Sequence, residues 1–187
     1  MHEVEVKAAL GDKQGFIAKL AERGCELLAE IAQDDTVYVR ETGSLEVFLG
    51  NHEFLRLRVE NNSRTLFAFK KHRTRSNDPN SAPLELELAV DSREKMEQVL
   101  LLMGYQEAMR IKKRRRKGAY ENWEVCIDEV EGLGTFVELE ELVGDRTEAA
   151  GIQERMKAFL AELGIDVGSE LRDRYDMLLL NKKYSAA

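Results

Sequence analysis

The sequence predicts an α+β fold in which eight mostly antiparallel strands close into a barrel with helices packed outside it. Strand-like runs alternate apolar and charged residues with a period of two. Amphipathic segments with helical apolar spacing each end at a glycine. Short turn signals join the strands as hairpins, not as parallel crossover units.

The first strand, 2–9, carries Glu3, Glu5 and Lys7 on one face and Val4, Val6 and Ala8 on the other. Phe16, Ile17 and Leu20 then mark a helix closed by Gly24. Strands follow at 34–41, 53–60 and 64–72, the last two joined through Asn61-Asn62-Ser63. The polar segment 73–83 contains both prolines, Pro79 and Pro83, and reads as a mobile loop over one end of the sheet. After a strand at 84–90, the residues Met96, Val99, Leu100 and Met103 predict a second helix, with Asp91 and Glu94 as a capping box and Gly104 at its end. Strands at 107–117, 122–130 and 134–142 come next, the last two linked by Glu131-Gly132-Leu133-Gly134. Ile152, Met156, Phe159, Leu160 and Leu163 predict a third helix, started by Asp145 and Glu148 and closed by Gly164.

At 187 residues and 43% apolar content, the chain suits one domain spanning 1–187. The net charge of −7 argues against general nucleic-acid affinity. No window approaches the roughly 20 apolar residues of a membrane span, and the charged N-terminus does not resemble a signal peptide, so a soluble cytoplasmic protein is expected. Cys25 and Cys126 lack metal-ligand spacing and read as buried thiols.

One charged stripe is ordinary, because an antiparallel strand often turns one face to water. Here the pattern recurs at Leu55-Arg56-Leu57-Arg58-Val59, Leu84-Glu85-Leu86-Glu87-Leu88 and Val137-Glu138-Leu139-Glu140. If helices cover the aliphatic faces, the ionic faces must line a wet cavity. The acids would be Glu3, Glu5, Glu85, Glu87, Asp128, Glu138 and Glu140; the bases would be Lys7, Arg56, Arg58, Lys70, Lys113 and Arg115. Within the basic run 112–117, Lys112 and Arg114 are the alternative inward pair to Lys113 and Arg115. Two like charges about 4 Å apart repel by roughly 4 kcal/mol at an effective dielectric near 20. Converging carboxylates therefore call for cations, and converging guanidinium groups call for anions. A polyphosphate with Mg²⁺ or Mn²⁺ satisfies both.

These residues resemble the CYTH superfamily of triphosphate-tunnel metalloenzymes. Its opening Glu-x-Glu-x-Lys is matched by Glu3-Val4-Glu5-Val6-Lys7. The likeness continues through Leu55-Arg56-Leu57-Arg58, Phe69-Lys70, Glu85-Leu86-Glu87 and Lys113-Arg114-Arg115 to the stretch from Asp128 to Glu140. The turn Asp128-Glu129-Val130-Glu131-Gly132-Leu133-Gly134 is most similar to the class IV adenylyl cyclase branch. The resemblance implies an eight-stranded tunnel that takes an organic triphosphate with Mg²⁺ or Mn²⁺. By motif position, Glu3, Glu5, Glu138 and Glu140 would hold metal and, with Lys7, form the catalytic set. Lys7, Arg56, Arg58, Lys70, Lys113 and Arg115 would bind phosphate, while Glu85, Glu87 and Asp128 would orient those bases or hold a second metal. A homodimer is compatible with the likeness, although no residue pattern establishes it.

The class IV reading implies conversion of ATP to cyclic AMP and pyrophosphate, through attack of the ribose 3′-hydroxyl on the α-phosphorus. Thiamine triphosphatase and inorganic triphosphatase, acting on thiamine triphosphate or tripolyphosphate, are the alternatives. A module that only binds polyphosphate or RNA is a further one, but the four motif glutamates would repel its ligand. Other signals carry less. His2, His52 and His72 lack metal-ligand spacing, and Gly132-Leu133-Gly134 lacks the Lys-Ser/Thr of a phosphate-binding loop. Trp123, Tyr120 and Tyr38 suit packing as well as base stacking, and Tyr175 falls where the family often has a tyrosine near the tunnel.

Overall fold

A computed structural model describes residues 2–40, 53–71, 84–144, 148–166 and 174–185. Its elements run in the order β1 (His2–Ala9), α1 (Lys13–Glu22), β2 (Ile31–Arg40), β3 (Glu53–Glu60), β4 (Arg64–Lys71), β5 (Leu84–Val90), α2 (Arg93–Leu102), β6 (Tyr105–Tyr120), β7 (Trp123–Val130), β8 (Gly134–Val143), α3 (Ala149–Glu162) and α4 (Tyr175–Ser185). The strands form an eight-stranded antiparallel sheet ordered β1-β8-β7-β6-β2-β3-β4-β5. The fold class is α+β, as expected, but the hydrogen-bonded order ends at β1 and β5, so hydrogen bonds do not close the sheet into a barrel. The expected loop at 73–83 lies outside the described residues, as do His52, His72 and Asp145.

The chain divides into two compact units, one of residues 1–30 with 114–187 and one of residues 31–113. In the first, β8 lies between β1 and β7. Its register sets Lys7 opposite Glu138 and Glu5 opposite Glu140, and Cys126 and Glu124 opposite the same two glutamates. One face of these strands presents Val4, Val6, Ala8, Val125, Ile127, Val137 and Leu139, all buried in one core with Phe16 and Leu20 of α1 and Ile152, Met156 and Leu160 of α3. Each of these side chains larger than alanine contributes about 1.5–3 kcal/mol by leaving water. Period-two alternation then leaves no choice about where the charged residues go: they occupy the opposite face.

The second unit repeats the scheme with less cover. Leu55 and Leu57 of β3 pack with Tyr38 of β2 and with Leu100 of α2, and Phe67, Phe69 and Met96 lie against them. The Tyr38 hydroxyl donates to Glu97 at 3.1 Å, so this tyrosine is a satisfied core residue. At the outer end of the strand order, Leu86 and Leu88 of β5 stay about half exposed, at 54% and 51%.

Helix ends follow local chemistry, with two departures from expectation. Gly24, Gly104 and Gly164 adopt φ of 81°, 82° and 87°, the left-handed conformation that closes a helix at low steric cost. The cap of α2 is Ser92, whose hydroxyl oxygen accepts from the Lys95 amide at 3.2 Å, so Asp91 is not the capping residue. The shorter hydroxyl side chain sits in the extended backbone position that reaches back to the first turn. The N-cap of α3 is Glu148, which makes no side-chain capping bond. Helix α4 was not among the expected elements, because Leu178-Leu179-Leu180 runs apolar on all sides and gives no helical period.

The turn between β3 and β4 has Asn61 and Asn62 at φ 49° and 56°, the positive pair of a type I′ hairpin. Asn61 also binds across to β2: its amide donates to the Ala32 carbonyl at 2.9 Å, and its side-chain oxygen accepts from the Ala32 amide at 3.0 Å. Asn61→Ala should therefore lose a hydrogen bond and replace a residue that tolerates left-handed backbone with one that does not, lowering stability by about 1–2 kcal/mol. Urea denaturation measures this; an unchanged midpoint would show that the turn does not constrain the hairpin.

Candidate active site

In the first unit the polar face is a network of buried ions. Lys7 stands 3.0 Å from Glu5 and 3.2 Å from Glu138. Arg115 on β6 binds Asp128 through two hydrogen bonds of 2.6 and 2.5 Å, and its Nη2 also donates to Glu138. Glu138 thus has a cation at each of its two oxygens. Burial opposes the charge on Lys7 and on Arg115, but the surrounding carboxylates outweigh it and raise both pKa values.

Glu140 is in a different position. Its nearest guanidinium, Arg115, is 3.9 Å away, while the register places Glu5 on one side of it and Glu124 on the other. Burial pushes its pKa up to about 8; Arg115 pulls the other way, and Glu138, Glu3 and Glu5 add to the rise. In the row Glu5, Glu140 and Glu124, Glu5 is paired with Lys7 at 3.0 Å and Glu124 with Lys117 at 2.7 Å, which leaves Glu140 the least compensated of the three. Glu124, Cys126 and Glu140 bring one ligand atom each to within 4.8 Å of one another, a group able to hold a metal ion. Carboxylate oxygens suit hard divalent cations such as Mg²⁺ or Mn²⁺. The two carboxylates of this group fit the cation that the sequence calls for, whereas the Cys126 thiol, whose pKa burial raises, does not, and Glu140 is the one member shared with the expected set.

The second unit gathers bases. Arg58 binds Asp35 through two hydrogen bonds of 2.7 and 2.8 Å, both partners being buried. Arg56 lies 3.7 Å from Asp35, 3.8 Å from Glu85 and 3.5 Å from Glu87. Lys113 is buried, at 6% exposure. Lys70 lies on β4 opposite Glu85. In the run 112–117, Lys112 and Arg114 are exposed while Lys113 and Arg115 are buried, so the strand takes the preferred of the two registers.

Two polar residues escaped the sequence reading. Asp35 lies in the stretch Gln33-Asp34-Asp35-Thr36-Val37, where adjacent acids and later apolar residues on both faces hide the phase of the strand. Glu124 had a usable signal, since Glu124, Cys126 and Asp128 are a period-two series in β7, and Asp128 of that series was already among the candidate acids. Among the aromatics, Tyr120 stacks on Phe159 at 4.4 Å and Trp123 meets it edge-on at 5.5 Å, so both pack under the helices. Tyr175 is on the ionic side: its ring is 5.2 Å from Phe136, and the Lys7 ammonium lies 4.8 Å from its centre.

The CYTH domain profile matches residues 1–175. The chain belongs to the CYTH family. It is 30% identical over 175 residues to a Methanocaldococcus jannaschii protein named "Putative adenylate cyclase", covering 94% of this chain and 97% of the relative. The solved structure of a Pyrococcus horikoshii OT3 protein superposes with a TM-score of 0.81 at 28% identity, covering 97% of this chain and 99% of the other. A Hippeastrum protein, described as a "Putative adenylyl cyclase" that "reveals a dominant" triphosphatase activity, superposes with a TM-score of 0.60 at 19% identity over 88% and 89% of the two chains. At that identity the last comparison shows the shared fold alone. No helix in the described residues of this CYTH protein is long and apolar enough to cross a membrane.

Glu140 gives the CYTH fold a pH signature. Its pKa rises from 4.5 to about 8 on folding, so between these values the folded protein keeps a proton that the unfolded chain releases. Stability of the metal-free protein should therefore fall as pH rises from about 4.5 to about 8. Glu140→Gln should flatten that fall, which for one carboxyl amounts to at most about 1.4 kcal/mol per pH unit. Urea midpoints of both proteins across this range provide the measurement, and parallel profiles would contradict the assignment.

Proposed function

We propose that the protein is a divalent-metal-dependent enzyme acting on an organic triphosphate, with conversion of ATP to cyclic AMP and pyrophosphate as its reaction. The observation that carries this reading is Glu140, a carboxylate set in a row of other carboxylates with its guanidinium neighbour no closer than 3.9 Å and its pKa pushed up to about 8. A passive anion receptor has no use for such a row, whereas an enzyme that pairs a cation with phosphate requires one. The name of the M. jannaschii relative supports the cyclase reading.

In this reading Glu3, Glu5, Glu138 and Glu140 hold the metal. A bound Mg²⁺ or Mn²⁺ supplies charge neutralisation at the phosphate and acidification of the attacking hydroxyl. Lys7, Arg56, Arg58, Lys70, Lys113 and Arg115 take phosphate oxygens, and the guanidinium groups stabilise the negative charge that grows on departing pyrophosphate. Glu85, Glu87 and Asp128 hold the arginines: the first two lie by Arg56, and the third spends both oxygens on Arg115. Because these bases are held in place before substrate arrives, little reorganisation accompanies the reaction.

Hydrolysis is the second reading, favoured by the triphosphatase activity ascribed to the Hippeastrum relative. There water attacks the terminal phosphorus, and the charged groups keep their roles. Incubation with ATP, thiamine triphosphate and tripolyphosphate, each with Mg²⁺ and with Mn²⁺, separates the readings by product. Cyclic AMP supports cyclisation; thiamine diphosphate or orthophosphate supports hydrolysis; no turnover of any of the three removes both. Glu5→Gln should lower metal-dependent turnover by about 100-fold or more with an unchanged circular dichroism spectrum, and Glu138→Gln should lower it as far while also lowering the urea midpoint, because Lys7 and Arg115 lose their shared carboxylate. Full activity in both variants would refute the roles given to these residues.

A further inference from the structure

Asp35 is a carboxylate in the middle of the bases to which the proposed function gives the phosphates. It is 3% exposed, yet the chemistry proposed above makes no use of it. Electrostatics alone makes the placement odd, since a buried negative charge among phosphate-binding groups repels the ligand they attract.

The sheet register explains what the residue does. Asp35 is the cross-strand partner of Arg58 from β2, while on the β4 side the partner of Arg58 is Leu66, which offers no acceptor. Arg56 stands between Val37 and Ala68 in the same way. Asp35 binds the Nε and Nη2 groups of Arg58 at 2.7 and 2.8 Å, and its Oδ2 is also 3.7 Å from Nη1 of Arg56. The other carboxylates near Arg56, on Glu85 and Glu87, lie at 3.8 and 3.5 Å and have more exposed side chains. Two guanidinium groups at alternate positions of one strand repel each other when buried, and a shared carboxylate offsets that repulsion while setting their orientation. Burial works against the Asp35 charge, but Arg58, Arg56 and Lys113 hold its pKa below the usual carboxylate value, so it is ionised and able to do this at neutral pH.

We propose that Asp35 is a positioning residue that fixes Arg58, and through the shared carboxylate Arg56, as a preformed guanidinium pair for the phosphate oxygens of the substrate. The inference rests on the triphosphate reading for the identity of the ligand, but not for the fixing of the side chain. The bidentate contact uses two of the five N–H donors of Arg58. Its conformational entropy is lost during folding instead of during binding, which favours the bound state. Partners of this kind, standing behind the groups that touch a ligand, commonly change affinity or activity by about 10- to 100-fold when removed.

The sign of the effect separates positioning from charge balance. Titration calorimetry of the full chain with tripolyphosphate, in metal-free buffer and in buffer with Mg²⁺, compares wild type with Asp35→Asn. Positioning predicts binding weakened by about 10- to 100-fold; charge balance alone predicts tighter binding, and tighter or unchanged binding overturns the inference. Nuclear magnetic resonance of the ligand-free proteins supplies the second arm. The Arg58 guanidinium should show slow rotation, with resolved Nη signals, in wild type and averaged signals in Asp35→Asn. Averaged signals in wild type overturn the inference even if the variant does not fold. A wild-type protein that binds no tripolyphosphate in either buffer overturns the triphosphate reading and the ligand half of this proposal, while the rotation data alone decide whether Asp35 holds Arg58.

Discussion

Glu138 holds Lys7 by one oxygen and Arg115 by the other, and the burial of the polar face of β1, β8 and β6 depends on that pairing. An isolated ion taken out of water costs several kcal/mol, so a strand cannot turn lysine and glutamate inward unless each meets its opposite. Here the opposites come from neighbouring strands: Lys7 faces Glu138 across the ladder, and Asp128 on β7 supplies the bidentate partner of Arg115. The helices α1 and α3 make the arrangement obligatory by claiming the aliphatic face. Hydrophobic burial thus fixes which way the strands face, and ion pairing makes the other side tolerable.

The two units solve the same problem with different sets of ions. In the first, carboxylates outnumber their cations near Glu140, and the site has capacity for a positive ion. In the second, Arg56, Arg58 and Lys113 gather around Asp35, with Glu85 and Glu87 beside Arg56. Ions gathered in this way are not a stabilising arrangement on their own terms. Charge placed where it weakens the fold is better explained by what it binds than by what it supports.

Much of this was legible in the residues. Strands at 2–9, 53–60 and 84–90 fall where the alternation put them, because each has aliphatic residues on one side and charge on the other. The inward register of Lys113 and Arg115 follows from Ile111, which lies buried two positions earlier on the same face. What escaped has physical causes. The phase of β2 is hidden because Val37 and Tyr38 are both buried, so neither face reads as polar. Closure of the sheet is a matter of ladder geometry between its end strands, which no local pattern encodes. Ser92 displaced Asp91 as a cap by one residue, a distinction set by backbone angles that composition does not reveal.

The alternation that builds both ionic clusters also restricts how such a chain can change length. Adding or deleting one residue inside β3 would exchange Arg56 and Arg58 for Leu55 and Leu57 beneath α2, burying guanidinium groups in oil and greasing the polar face in one step. Insertions and deletions in descendants of this gene should accordingly gather in the connections, and any that strike a strand should arrive in pairs.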